Sequence, residues 1–110
     1  MVKLKSETSD EQLVLFVQKG DKQAFDLLVL KYQGKMQSIV SRFIRDPDEV
    51  ADVVQEAFIK AYRALPKFRG DSKFYTWLYR IGVNTAKNYL FARSRRPPGS
   101  DIDLSDAEHY

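Results

Sequence analysis

The chain contains no cysteine, and its one histidine, His109, is the second residue from the end. No disulfide can staple it, and no thiolate can serve as nucleophile or metal ligand. That usage fits a reducing, cytoplasmic setting. No metal-ligand spacing and no glycine-rich phosphate loop occurs, so neither cofactor nor enzymatic chemistry is expected. No apolar run reaches the ~18 residues that suggest a membrane span, so no membrane insertion is expected. The opening MVKLKSETSD lacks the apolar segment of a secretory signal. Strand signals are scarce too: there is no Asn-Gly or Gly-Gly turn and no sustained period-two alternation.

Helical signals recur instead. A length of 110 residues with 44% apolar content suits one small domain with a modest core. The expected fold is all-α: a compact bundle of about four helices with an ordered loop before the last. Residues 10–18 form a first helix that Lys19-Gly20 ends. Asp21 caps a long second helix whose stripe of Phe25, Leu28, Val29, Tyr32, Met36, Ile39, Val40 and Phe43 faces the core. Asp46-Pro47-Asp48-Glu49 starts the third, with Asp46 as cap, Pro47 at the first position and Glu49 completing a capping-box-like pair. It runs to about Leu65, with Val50, Val54, Ala57, Phe58, Ala61 and Leu65 inward. A loop, 66–72, follows. Asp71 or Ser72 then caps a last helix to about Ser94, packed through Leu78, Ile81, Thr85, Ala86 and Tyr89. Gly82 in its middle predicts close approach of a neighbouring helix. Residues 1–9 read as a tail, 10–96 as the bundle and 97–110 as the start of an acidic linker.

Charge is strongly segregated. Residues 60–96 hold ten Lys or Arg, one acid (Asp71) and eight of the fourteen aromatics. Lys67, Phe68, Arg69, Gly70, Asp71 and Ser72 lie on the loop. Trp77, Arg80, Asn84, Lys87, Asn88 and Phe91 recur at three- and four-residue steps along one flank of the last helix. Duplex DNA can be held through its phosphates by cations alone. Rings beside cations suit single strands, whose exposed bases stack while basic groups follow the backbone. An Asn can read the edge of an unpaired base. A second reading stands beside this one: Trp77 and Phe74 as core rings, and Asn84 as a satisfied amide between helices.

Residues 46–56 carry five acids and no base. Asp52, Gln55, Glu56, Ile59 and Arg63 share the outward face of the third helix. A metal site there lacks the His that carboxylate-bridged sites usually draw on. The face is either simply solvated or a docking surface for a basic partner, with Ile59 as an apolar centre in a polar rim.

The strings DVVQEAFIKAYRAL and FRGDSKFYTWLYRIGVNTAKNYL closely resemble domain 2 of the extracytoplasmic-function sigma factors of bacterial RNA polymerase, sigma-E type. GDKQAFDLLVLKYQ resembles that family's first conserved helix. The resemblance covers roughly residues 10–100 and implies a helical bundle. It implies docking of Asp52, Gln55, Glu56 and Ile59, with Arg63 near them, on the β′ clamp helices of core RNA polymerase. It also implies that Lys67 to Asn88 melts and holds the non-template single strand of the promoter −10 element. On that reading Lys67–Ser72 wrap a flipped base, Phe68 and Asn84 line its pocket, and Tyr75, Trp77, Arg80 and Lys87 hold junction and backbone. The family's second, −35-reading domain is expected to be absent from this chain. Family members are also held by anti-sigma factors. The competing function is a helical protein-interaction module whose rings are core and whose charges only steer.

Overall fold

The computed structural model describes residues 8–94. Within it the chain forms four α-helices: α1 Asp10–Gln18, α2 Lys22–Ser41, α3 Pro47–Ala64 and α4 Phe74–Ser94. A short 3-10 turn, Leu65–Lys67, follows α3. The reading of 97–110 as a linker falls outside the described residues. So does most of the proposed tail, but Ser9 is a structured residue.

Three helix starts are set by side chains that satisfy orphan amides. Ser9 accepts from the Gln12 amide while the Gln12 side chain accepts from the Ser9 amide, a full capping box. Asp21 accepts from Gln23 and Ala24. Asp46 accepts from Asp48 and Glu49, with Pro47 at the first position. Glu49 does not close a capping box, as its position suggested. Its carboxylate accepts instead from the Tyr89 hydroxyl at 2.8 Å and from Arg93 at 2.9 Å. The Glu49 carboxylate thereby joins the start of α3 to the end of α4. This bond, followed by burial, raises the Tyr89 pKa, so the phenol stays a neutral donor. The expected cap of α4 also differs. The helix begins at Phe74, and the Ser72 hydroxyl donates to the Lys73 carbonyl rather than accepting from an amide.

The core is built from all four helices. Leu13, Leu28, Met36, Val40, Ile44, Leu65 and Leu78 are almost completely buried. The α2 stripe is narrower than its periodicity suggests. Phe25, Val29 and Phe43 are only half-buried, because each sits at an edge of the buried stripe, beside a surface hollow. Ile81 and Tyr89 are likewise half-buried, and Val53 and Ile44 fill core positions instead.

Midway along α2, Lys31 and Tyr32 tie it to the start of α1. Tyr32 donates to Asp10, which also accepts from Lys31 at 2.5 Å. Burial, then the bond to Asp10, pushes the Tyr32 phenol far above its ordinary range. On the α4 side the Tyr32 ring stacks on Tyr75, with centroids 5.4 Å apart.

Helices α2 and α4 approach closely at Gly82. A Cβ placed on Gly82 would lie 2.5 Å from the Met36 sulfur and 3.6 Å from Ile39. Glycine here costs helix propensity of about 1 kcal/mol relative to alanine, and overpacking a core costs about 1–3 kcal/mol. Gly82→Ala is therefore expected to lower stability by up to about 2 kcal/mol despite better propensity. Adding Met36→Val should recover part of that loss, so the double variant is more stable than the sum of singles requires. Urea unfolding of the parent, both singles and the double measures this coupling. Strict additivity would mean that Met36 moves aside without strain.

Candidate nucleic-acid and partner interfaces

The loop between α3 and α4 is held at both ends. At its start, the Phe68 amide donates to the Leu65 carbonyl at 3.0 Å. The Phe68 ring packs against Trp77, centroids 5.0 Å apart, and edge-on to Phe74 at 6.4 Å. Phe74 and Trp77 also meet at 5.7 Å. Phe74 is buried at 5% exposure, as the core-ring reading expects, whereas Trp77 and Phe68 are half-buried. These three rings form a ledge under the loop. Lys67, Arg69, Gly70 and Asp71 are exposed on it, and Ser72 is half-buried. Gly70 adopts φ +79°, a left-handed turn that favours glycine. Between this loop and α1 lies a hollow of about 720 Å³.

Along α4 the polar flank is exposed. Arg80, Asn84, Lys87 and Asn88 face solvent, with Tyr79 beside them at 37% exposure. Asn84 stands on a ridge between two hollows. One, about 530 Å³, is lined by Phe43, Tyr79, Arg80, Val83, Asn84 and Lys87. The other, about 250 Å³, lies in the seam of α3 and α4, among Lys60, Ala64, Ile81, Asn84, Thr85 and Asn88. Thr85 spends its hydroxyl proton on the Ile81 carbonyl at 2.6 Å. Asn84 and Asn88 make no side-chain hydrogen bond among the described residues, so their amides remain available to a ligand.

The geometry does not gather all the predicted residues. No hollow among those found in the described residues is lined by both Phe68 and Asn84. Phe68 rests on Trp77, and Asn84 follows Trp77 by seven residues, about 10 Å along the helix. Tyr75 points to the opposite edge of α4, where it stacks on Tyr32 with the Lys35 ammonium 4.9 Å from its ring centre.

A second site lies between α2 and α3. It is a groove of about 660 Å³ lined by Phe25, Val29, Val54, Phe58, Ile59 and Tyr62, with Lys22, Asp26, Gln33, Gln37, Gln55 and Arg63 among its polar residues. Ile59 is 43% exposed, and Phe25 meets Tyr62 edge-on at 4.9 Å. Gln55, Ile59 and Arg63 therefore face the groove. Asp52 and Glu56 are exposed on α3 but do not line it. Glu56 pairs with Lys60 at 3.3 Å in a solvent-exposed contact, which holds it only weakly.

Sequence reasoning missed Phe25, Val29 and Tyr62 as groove residues. It missed Lys60, Phe43 and Tyr79 at the α4 hollows, and Gln18 beside the loop. An apolar residue at the edge of a stripe gives the same periodicity whether it is covered or exposed. Only the placement of the adjacent helix decides between the two.

Comparison with known proteins agrees with this arrangement. The family model described as Sigma-70 region 2 matches residues 28–96, more than half of the chain. The RNA polymerase sigma-H factor of Pseudomonas aeruginosa is 64% identical over 105 residues, covering 96% of this chain and 54% of that protein. The ECF RNA polymerase sigma-E factor of Escherichia coli strain K12 is 63% identical over 107 residues, covering 97% and 56% respectively. The chain thus spans about half the length of these curated relatives. Among solved structures, an engineered region 2 of sigmaE in complex with GTAAAA is 59% identical, with TM-score 0.77, covering 84% of this chain and 96% of that one. CnrH in complex with the cytosolic domain of CnrY is 34% identical, with TM-score 0.68, covering 77% and 56%. The capped four-helix bundle, its ring-backed basic loop and these matches converge: the chain belongs to the sigma-70 region 2 family, in its sigma-E type.

Proposed function

We propose that this domain docks on core RNA polymerase and recognises and melts the promoter −10 element by capturing its non-template single strand. The observation that carries the reading is the α4 flank: exposed amides at Asn84 and Asn88 that find no hydrogen-bond partner among the described residues, set among Arg80 and Lys87, beside a ring-backed loop. A solved relative, an engineered region 2 of sigmaE bound to GTAAAA, supports it. The work is differential binding. The domain favours the melted strand over the duplex, and so shifts a melting equilibrium without consuming nucleotide. Flipping a base costs a few kcal/mol, and one stacked base returns roughly 1–3 kcal/mol. The domain alone does not open DNA; polymerase shares the cost.

Core polymerase is assigned to α3 and the groove beside it. Gln55, Ile59 and Arg63 face an apolar trough with a polar rim, the anatomy of a protein interface. Asp52 and Glu56 supply the charge that complements a basic surface, and the β′ clamp helices are the proposed contact. A protein that covered this groove would keep the domain from polymerase, which is how an anti-sigma factor would act. CnrH, a relative of the same fold, was solved with a protein partner. Both polymerase and promoter place the work in the cytoplasm, and no described helix is long and apolar enough to cross a membrane.

On α4, Asn84 reads one unpaired base through its amide, while Phe68 supports the strand from the loop end of the ledge. An amide donates and accepts, so it complements one base edge and leaves unpaired groups against another. Asn84→Ala should flatten base preference at one −10 position, at a cost of about 1–3 kcal/mol in discrimination. Phe68→Ala should weaken binding with little regard to the base, because stacking tolerates sequence. A panel of single strands varied one base at a time separates the two. If Asn84→Ala keeps the full preference profile and instead lowers the melting temperature, the amide is structural.

The strand itself provides a second test. Fluorescence titration should give tighter binding to single-stranded GTAAAA than to its duplex, with affinity falling as salt rises. Equal or better duplex binding contradicts an unstacked-base platform.

For the docking face, Asp52→Lys and Glu56→Lys should each weaken capture by core polymerase and leave the thermal melt unchanged. Exposed substitutions away from special features cost little stability. Unchanged capture by both variants would make the acidic face a solvated one.

A further inference from the structure

We infer that Gln18, the last residue of α1, is a positioning residue for the strand-capturing loop; this rests on the single-strand reading above. The Gln18 side-chain nitrogen donates to the Leu65 carbonyl at 3.0 Å and to the Phe68 carbonyl at 3.0 Å. One carboxamide thus grips both ends of the turn that launches the loop. These partners lie 47 and 50 residues away in sequence. The family model begins at residue 28, so α1 and this tether stand outside the segment it matches.

The loop needs such a tether. Arg69, Gly70, Asp71 and Ser72 make no backbone–backbone hydrogen bond among the described residues. The stretch is suspended between Phe68, where the ring packs on Trp77, and Lys73, whose carbonyl accepts the first bond of α4 at 3.1 Å. Ring packing fixes the Phe68 side chain but leaves its peptide free to rotate. The bond from Gln18 to the Phe68 carbonyl fixes that peptide, and with it the direction in which Arg69 and Gly70 leave.

Gln18 itself is exposed, and the hollow between α1 and the loop opens beside it. Its chemistry suits a tether. A primary amide presents two donors from one nitrogen, which a carboxylate of the same shape cannot do. It is neutral, so it adds no charge of its own to the phosphate track. Gln18 therefore acts on DNA through the loop, not by contact.

The test uses the whole 110-residue chain, with Gln18→Ala and Gln18→Glu. Hydrogen exchange of the Phe68 amide, which the Leu65 carbonyl holds, should speed up in both variants when measured without DNA, and trypsin should cut faster after Lys67 and Arg69. Affinity of Gln18→Ala for single-stranded GTAAAA should fall about three- to tenfold, the size of one or two lost hydrogen bonds. Its salt slope should match the parent's, because no phosphate contact is removed. Core-polymerase capture should be unchanged, which a general loss of folding would not allow. Parent-like exchange and affinity in both variants would overturn the inference. So would lost affinity with parent-like loop exchange, since Gln18 would then touch DNA itself. If the parent fails to bind GTAAAA, the single-strand reading falls and the assigned purpose falls with it, even where loop exchange confirms the tether.

Discussion

Helix α4 lies against α2 because Gly82 offers no side chain where Met36 crosses it. The 2.5 Å that would separate a Cβ there from the Met36 sulfur is too short for any real contact. Other features follow from this crossing. It brings Tyr75 onto the Tyr32 ring and sets Leu78 and Thr85 in the core. It leaves the opposite flank, with Arg80, Asn84, Lys87 and Asn88, turned to solvent.

Charge is then divided between two surfaces. The α2–α3 groove has an apolar floor, and exposed carboxylates stand beside it on α3. The loop and α4 carry cations with one acid among them, Asp71. On the proposed reading a polyanion favours the second surface over the first, so a basic protein and a nucleic acid would bind together without competing. The halves are joined where the charges meet. Glu49, at the start of α3, accepts hydrogen bonds from Tyr89 and Arg93 near the end of α4. These bonds also fix the far end of α4.

Much of this was legible in the sequence, for reasons that differ by residue. Asp21, Asp46 and Pro47 announce helix starts because capping is local chemistry, settled within four residues. Gly82 announced a close crossing because nothing else repays glycine within a helix. Asp52, Gln55, Glu56 and Ile59 could be placed on an exposed face from periodicity alone. Other features depend on partners distant in sequence. Glu49 has the spacing of a capping box, yet its bonds reach 40 and 44 residues ahead. Phe25 and Val29 follow the core period but border a groove, since α3 covers only part of α2. Asp71 and Ser72 are good cap residues by type, but the helix starts at Phe74, so they fall two residues and one residue short of the cap position. Gln18 carries no local signal, and only the folded chain places its amide beside the loop.

On the proposed reading, what α4 and its loop offer DNA is neither strong nor extensive. A few rings, amides and cations return energy of the same order as the cost of unstacking a base. Such a surface would select strands that are already open, and its selectivity would depend on which groups touch the strand. Nuclear magnetic resonance shift mapping of the isotope-labelled chain, titrated with unlabelled single-stranded GTAAAA, observes those groups directly. Perturbations should concentrate at residues 68–72, the Trp77 indole and the side-chain amides of Asn84 and Asn88, and leave Phe25, Ile59 and Tyr62 in the groove silent. Shifts spread over lysines and arginines on every face, with the indole and both side-chain amides unmoved, would contradict capture of unstacked bases and leave only general attraction to a polyanion.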